Sequence, residues 1–401
     1  MNQWRINSKR MKAINTRNVL NIIRREGCIS RRNLVQLTGL TTGTITNIIS
    51  ELLDRQYVVE TGEGMSEGGR KPIMLELNSE AGYAIGLSLD VSSIICVISD
   101  FKANILYSKK QKIDVRSGKY VIIDQMIGLI EDVINHVKVD RKKILGLGLA
   151  VPGPCDYQKG IMLNPPNFPG WINVPIKEIF TNHLGLKVYV SKETSCYVLS
   201  DYWFGKAAGI DRIFGFMMGE VGIGGALVLN GEIFQEKEGE SMDIGHTIVQ
   251  LDGHPCSCGN RGCLEAHANG YAAVRYAQEM LASGHKSTAK FPTTFQDIVD
   301  NVNAGDVVSI EAIKKCAYYA SVAIGNALSL LSPQMICFGG EFIDKCPIMY
   351  DLIVKYLERR DYPASAKAAQ KGRFTFGEQS GAIGGVALVF DALSKSLSPE
   401  W

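Results

Sequence analysis

Residues 30–53 read SRRNLVQLTGLTTGTITNIISELL, and the spacing within this stretch decides the fold of the amino-terminal part. Leu34, Val35 and Thr38 recur at helical intervals after Ser30, and Gly39 supplies a residue that takes the left-handed turn at a helix end. Leu40 then anchors a turn and Thr41 stands where a helix cap is needed. The run that follows places Ile45, Ile48, Ile49, Leu52 and Leu53 on one helical face. Its other face carries Thr42, Gly43, Thr44, Thr46 and Asn47, short groups that let a helix lie close to phosphates and base edges in a major groove.

Working outward, Arg17–Glu26 puts Val19, Leu20 and Ile23 on one face and stops at Gly27, which predicts a preceding helix. On the other side, 57–59 (Tyr-Val-Val) and 73–77 (Ile-Met-Leu-Glu-Leu) predict two short strands. They are joined by a loop containing Gly68-Gly69-Arg70-Lys71-Pro72. Helix, helix, recognition helix and basic-tipped hairpin in this order describe a winged helix-turn-helix. Its expected DNA contacts are Ser30, Arg31, Thr41, Thr42, Gly43, Thr44, Thr46, Asn47, Gly69, Arg70 and Lys71. Residues 1–80 carry twelve Lys/Arg against eight Asp/Glu, so only the head has a basic surplus, as a partner of duplex DNA requires.

The whole chain has 401 residues, too many for one ordinary core. Hydrophobic residues make up 46% and charged residues 21%, a balance that excludes a disordered chain. No run of about 18 uncharged apolar residues occurs and the amino terminus has no apolar secretory segment, so a cytoplasmic protein without a membrane partner is expected. From Tyr83 the pattern turns to apolar strands alternating with helices: YAIGLSL, IICVISD, ANILYSKKQKI, a helix near 121–137 and ILGLGLAVPG. A second set begins near Arg212, with FGFMMGEVG, GGALVLNG, helices around 273–283 and 307–331, and MICFGG. Two similar α/β lobes joined to the head by the short segment Asn78–Gly82 are expected.

The strongest chemical signal is Gly245-His246 followed by Cys256-Ser257-Cys258-Gly259-Asn260-Arg261-Gly262-Cys263. Three thiolates and one imidazole make a closed tetrahedral set suited to structural Zn2+, with His246, Cys256, Cys258 and Cys263 as ligands. The glycines between them let the loop double back.

The wing segment EGGRKPIMLELN together with GLGLAVPGPCDYQKG, LNPPNFPGW, GIGGALVLNGEIFQ, GHTIVQLDGHPCSCGNRGCLEAHANG and ICFGGEF closely resembles the ROK family of repressors and sugar kinases, over nearly the whole chain. Within it, the xylose-repressor-like and N-acetylglucosamine-repressor-like members are nearest. The resemblance implies a winged helix-turn-helix (mainly α) at 1–78 and a two-lobed α/β actin-like fold of sugar-kinase, RNase H-like type. Its first lobe is 79–195 plus 382–401, and its second is 196–381 with the zinc loop. It also implies sugar contacts from Asn167, Lys192, Glu193, Asp243, His246 and Glu265, in a site between the lobes.

Where family kinases carry a glycine-rich ATP phosphate loop, this chain reads Ser88-Leu89-Asp90-Val91-Ser92, and the second phosphate loop survives in part as Gly222–Gly225 behind Glu220-Val221. Lys192-Glu193 replaces the Asn-Asp pair that holds the kinase base. An extra methylene moves a carboxylate by roughly 1 Å, and misplacement on that scale costs about 100-fold. We therefore expect no phosphoryl transfer. The expected function is a homodimeric or tetrameric repressor bound to a palindromic double-stranded operator and released by a sugar. A sugar kinase with a regulatory head, and a repressor governed by a protein docking on its body, are the alternatives.

Overall fold

The computed structural model describes residues 8–63, 71–234, 242–361 and 367–396. In the head, α1 (Ser8–Glu26) buries Val19, Leu20 and Ile23. The helix begins nine residues before the expected start, in a segment with no apolar periodicity, where Lys12 pairs with Glu51 at 2.7 Å. The short β1 (Ile29–Ser30) leads into α2 (Arg31–Thr38) and α3 (Thr42–Asp54). The apolar face of α3 is buried at Ile45, Ile48, Ile49 and Leu52, with Leu53 only half-buried at its edge. The wing strands β2 (Val58–Glu63) and β3 (Ile73–Leu77) pair antiparallel, and β1 adds to the far side of β3. This is the expected winged helix-turn-helix.

After a turn at Ser79–Ala81, β4 (Tyr83–Leu89), β5 (Ser93–Ser99), β6 (Ile105–Lys112), α4 (Lys119–Val137) and β7 (Ile144–Val151) follow. A small hairpin, β8 (Cys155–Asp156) and β9 (Ile161–Met162), precedes α5 (Ile176–Leu184) and β10 (Val188–Lys192). The strands β6-β5-β4-β7-β10 form one sheet, in that order. The chain then repeats the scheme. After α6 (Glu193–Phe204) come β11 (Arg212–Met218), β12 (Ile223–Leu229) and β13 (Glu232–Phe234). Next are α7 (Leu264–Ala268), α8 (Gly270–Ala282), α9 (Phe295–Asn303) and α10 (Val307–Leu331). Last come β14 (Met335–Gly339), α11 (Glu341–Lys345), α12 (Pro347–Glu358), β15 (Gln370–Arg373) and α13 (Ser380–Ser396). The second sheet runs β13-β12-β11-β14-β15. Numbered from its own first strand, each sheet reads 3-2-1-4-5, a duplicated α/β lobe as in actin-like sugar kinases.

By packing, the chain divides into two compact units, 1–150 with 175–191 and 385–401, and 151–174 with 192–384. Four segments depart from the expected boundaries: the head counts with the first lobe, while 151–174, 192–195 and 382–384 count with the second unit. The cause is local. Tyr157 of the β8–β9 turn hydrogen-bonds Cys155 and lies within electrostatic reach of Cys196 and Asp243, and Lys192 pairs with Asp243.

Within the first unit, α13 crosses β7 at backbone distance: a Cβ on Gly148 would sit 1.9 Å from the carbonyl oxygen of Gly385. Nothing there is a flexible side-chain end, so Gly148→Ala forces strand and helix apart. We expect a loss at the upper end of the roughly 1–3 kcal/mol typical of overpacked cores, read as a lower thermal midpoint, while Gly128→Ala, which meets nothing within 4 Å, serves as control.

Candidate functional site

Two groups of side chains carry chemistry, one on the head and one in the second unit. On the head, the Ser30 hydroxyl accepts the Asn33 N–H at 3.2 Å and α2 closes on Gly39 at φ +68°. Thr41 caps α3 by accepting the Thr44 N–H at 3.2 Å, and the two hydroxyls lie 2.9 Å apart. Capping of this kind satisfies the amides that a helix start leaves over. Thr42, Gly43, Thr46 and Asn47 are exposed along the first turns of α3, with Thr44 half-buried beside them. The Thr46 hydroxyl donates back to the Thr42 carbonyl at 2.9 Å.

Ser30 is 3% exposed and its hydroxyl caps the helix it opens. Arg31 donates to Glu60 at 2.8 Å, which holds the guanidinium against the wing. Ser30, Arg31, Arg32 and exposed Lys71 line one hollow between α2 and the wing. Gly69 and Arg70 lie outside the described residues.

In the second unit, the turn Ile244–His246 and the loop 247–263 bring His246, Cys256, Cys258 and Cys263 together, all four ligand atoms within 4.8 Å of one another. The loop folds back through bridges from Ile248 to Cys263 and from Pro255 to Arg261. Gly262 is required at this crossing: its φ is +77° and a Cβ would meet the Gln250 carbonyl oxygen at 1.8 Å. His246 Nδ1 lies 3.6 Å from Cys256 Sγ, and the sulfurs of Cys258 and Cys263 are 3.7 Å apart. Ligands bound tetrahedrally at about 2.0–2.3 Å from a common ion are roughly 3.3–3.8 Å from each other, so these residues could hold a metal ion.

Electrostatics agree with that reading. Burial and the neighbouring thiols push Cys263 up to about 12, while the Asn260 amide holds the exposed Cys258 below its ordinary value. Crowded sulfurs of this kind deprotonate together only against a cation. Beneath the loop, buried His267 accepts the His254 N–H at Nε2 (3.2 Å) and lies 2.9 Å from the Tyr276 hydroxyl at Nδ1. Burial pushes it down to about 4, so it stays neutral and buttresses the loop.

Beside the metal set, Lys192 at the N-cap of α6 forms an ion pair with Asp243, three residues before His246. Glu265 accepts the Ile223 N–H at 3.1 Å; burial raises its pKa against the opposing pull of that hydrogen bond and of nearby His246. Lys192, Asp243, His246 and Glu265 are thus linked in one group. Half-buried Glu193 opens α6 next to it. Asn167 sits on the exposed turn 165–171, anchored by buried Phe168 and Trp171, and among the described residues no hydrogen bond or ion pair joins it to that group. Sequence reasoning missed Tyr157, whose hydroxyl burial shifts upward with the nearby Cys155, Cys196 and Asp243 adding to the shift. Only its place in GLGLAVPGPCDYQKG hinted at it. Beside Gly222–Gly225, burial and then Glu341 raise the pKa of Glu220.

Comparison with known proteins places these sites in context. A winged helix-turn-helix DNA-binding pattern matches residues 13–59 and the ROK family pattern matches 84–392. The xylose repressor of Bacillus spizizenii is 26% identical over 381 residues, covering 95% of this chain and 96% of the relative. The xylose repressor of Caldicellulosiruptor bescii is 29% identical over 336 residues, covering 82% and 84%. The crystal structure of a ROK family transcriptional regulator, described as a homologue of the Escherichia coli MLC protein, shares the fold with a TM-score of 0.80 at 24% identity, over 96% of this chain and 98% of that one. No helix among the described residues is long and apolar enough to cross a membrane. With the family pattern spanning both lobes behind a winged helix, the chain is a member of the ROK family.

Proposed function

We propose that this chain is a cytoplasmic transcriptional repressor whose hold on operator DNA is weakened by a monosaccharide, xylose or a close analogue, bound on its second unit. The observation that carries the reading is the exposed, short-chained face of α3 (Thr42, Gly43, Thr46, Asn47) on a winged helix that shares its chain with a ROK body. The named relatives support it, being xylose repressors matched from head to body. Asn47 and the threonines read base edges, Arg31, Lys71 and Arg70 meet phosphates, and Gly69 lets the wing approach the duplex. Two or four copies on a palindromic operator place recognition helices in successive major grooves.

The metal is Zn2+, in a structural role: a Cys3His set fills all four positions and offers no open one. It holds the turn that carries Asp243 and His246 and the start of α7 that carries Glu265. Lys192, Asp243 and Glu265, with Glu193, His246, Tyr157 and Asn167, supply donors and acceptors of the kind that vicinal hydroxyls require. The chain transfers no phosphoryl group on this reading, because Ser88–Ser92 lacks the glycines of an ATP phosphate loop, Gly222–Gly225 keeps the second loop only in part, and Glu193 stands where the base would be.

Mobility-shift titration of a duplex selected by the chain from a random pool tests this. A monosaccharide panel including xylose should contain a member that weakens binding 5- to 150-fold, the usual size of coupling between two sites. Lys192→Met should abolish that response and leave sugar-free binding in place. A panel without effect sinks the effector reading, and sugar-dependent ATP turnover of about 1 s⁻¹ would restore the kinase alternative.

A further inference from the structure

Beyond the linker Asn78–Gly82, the head is fastened to the body at several points. Tyr57, at the entrance to β2, stacks on Phe101 with 5.1 Å between ring centroids and 11° between planes. Phe101, in the turn between β5 and β6, meets Phe390 of α13 edge-on at 5.6 Å. Phe101 and Phe390 are buried, so a dry aromatic stack runs from head to turn to carboxyl-terminal helix. One helical residue further, Asp391 accepts Arg17 of α1 at 2.9 Å, with side-chain exposures of 16% and 18%, and Lys395 holds the same carboxylate at 2.7 Å. Glu76 of β3 pairs with Lys102 at 3.0 Å, and the Ser79 carbonyl accepts the Phe101 N–H at 3.3 Å. Three separate parts of the head therefore land on two body elements, 374 residues apart in the case of Arg17 and Asp391.

We propose that Phe101, Phe390 and Asp391 are positioning residues for DNA reading: they seat the head on α13 and fix the direction in which α3 is presented. The inference rests on the reading of α3 as the DNA-binding helix. A half-buried ion pair is directional where a hydrophobic contact is not, and it sits next to the rings, so stack and pair together remove both the swing and the twist of the head. Fixed heads meet the second half of a palindrome at high effective concentration, whereas heads on a loose tether lose that advantage without losing a single base contact.

The test uses the full chain carrying Asp391→Arg, the double exchange Arg17→Asp with Asp391→Arg, and Phe101→Ala. Each is titrated against a palindromic duplex selected from a random pool by the wild-type chain and against a duplex bearing one half of it. Hydrogen exchange across 8–63 is followed in parallel. Asp391→Arg should weaken palindrome binding at least tenfold, leave the half-site within twofold, and speed exchange in α1. The double exchange should move all three back toward wild type, the Lys395 contact of Asp391 being the one it does not remake. Should Phe101→Ala fail to fold, the charge pair decides alone. Unchanged palindrome affinity and exchange overturn the proposal, as does an equal loss on both duplexes that the double exchange leaves unrepaired. If the wild-type chain selects no duplex, the DNA reading of the head has failed; the seat then stands or falls on whether exchange in α1 rises in Asp391→Arg and returns in the double exchange.

Discussion

Cys258→Ala should yield protein without metal and lower the thermal midpoint by about 8–16 °C. Cys258 is exposed, so its sulfur contributes little burial and the variant loses no core packing. What it loses is one of four ligands whose atoms lie within 4.8 Å of each other. A ligand present at a thousandfold excess over its Kd stabilises the folded state by about 4 kcal/mol, and about 1 kcal/mol shifts the midpoint of a unit of roughly 150–250 residues by about 2–4 °C. Metal analysis of purified protein should give about one Zn2+ per chain for the wild type and almost none for the variant. A wild-type protein without metal, or a variant that keeps both metal and midpoint, would refute the assignment.

The same variant separates the two halves of the proposed function. With the loop 247–263 unclamped, the turn bearing Asp243 and His246 and the start of α7 bearing Glu265 lose their common anchor. Sugar response should vanish. The head has its own core of Val19, Ile23, Leu34, Ile45, Ile49 and Leu52, and the metal loop contributes nothing to it, so sugar-free DNA binding should persist. A lower midpoint with DNA binding intact and induction lost is a combination that global unfolding cannot produce.

What could be read in advance follows from the range of the interactions involved. The head was legible because its signals are local: the cap at Thr41, the left-handed Gly39 and the i, i+3, i+4, i+7 burial of α3 all lie within 14 residues. The metal set was legible because three of the chain's ten cysteines fall within eight residues. Helix α6 was not, because Thr194–Asp201 are all buried although Thr194, Ser195, Ser200 and Asp201 are polar, so its burial leaves no apolar stripe to read. The Lys192–Asp243 pair spans 51 residues and the Arg17–Asp391 pair 374, and no local pattern encodes such partners. For the same reason the head was expected as a domain of its own, while its packing on Phe101 and α13 joins it to the first unit. Tyr157 went unnoticed because a tyrosine in a turn has no spacing signature.

Gly43→Glu should abolish operator binding while leaving the protein as stable as before or slightly more so. Gly43 is the second residue of α3, it is exposed, and a Cβ built on it meets nothing within 4 Å. Its backbone is not in the left-handed region, so a side chain brings no strain. Glutamate replaces glycine in a helix with a gain of up to about 1 kcal/mol, and a carboxylate in a first turn is further favoured by the helix dipole. Folding alone would therefore prefer the substitution. Glycine is useful here only if another surface must come close, and a duplex in contact with Thr42, Thr46 and Asn47 is such a surface. A carboxylate at that point adds bulk and sets negative charge against phosphates, whose attraction supplies most of the non-specific affinity. We expect specific binding to weaken by at least about 100-fold, roughly 2.8 kcal/mol. Gly43→Ala should fall between the two, since a methyl group displaces the helix by less and carries no charge. Fluorescence anisotropy at two salt concentrations, with thermal unfolding of the same samples, checks both halves. If Gly43→Glu binds the selected duplex as tightly as wild type, α3 is not the reading helix, however well its face is made for it.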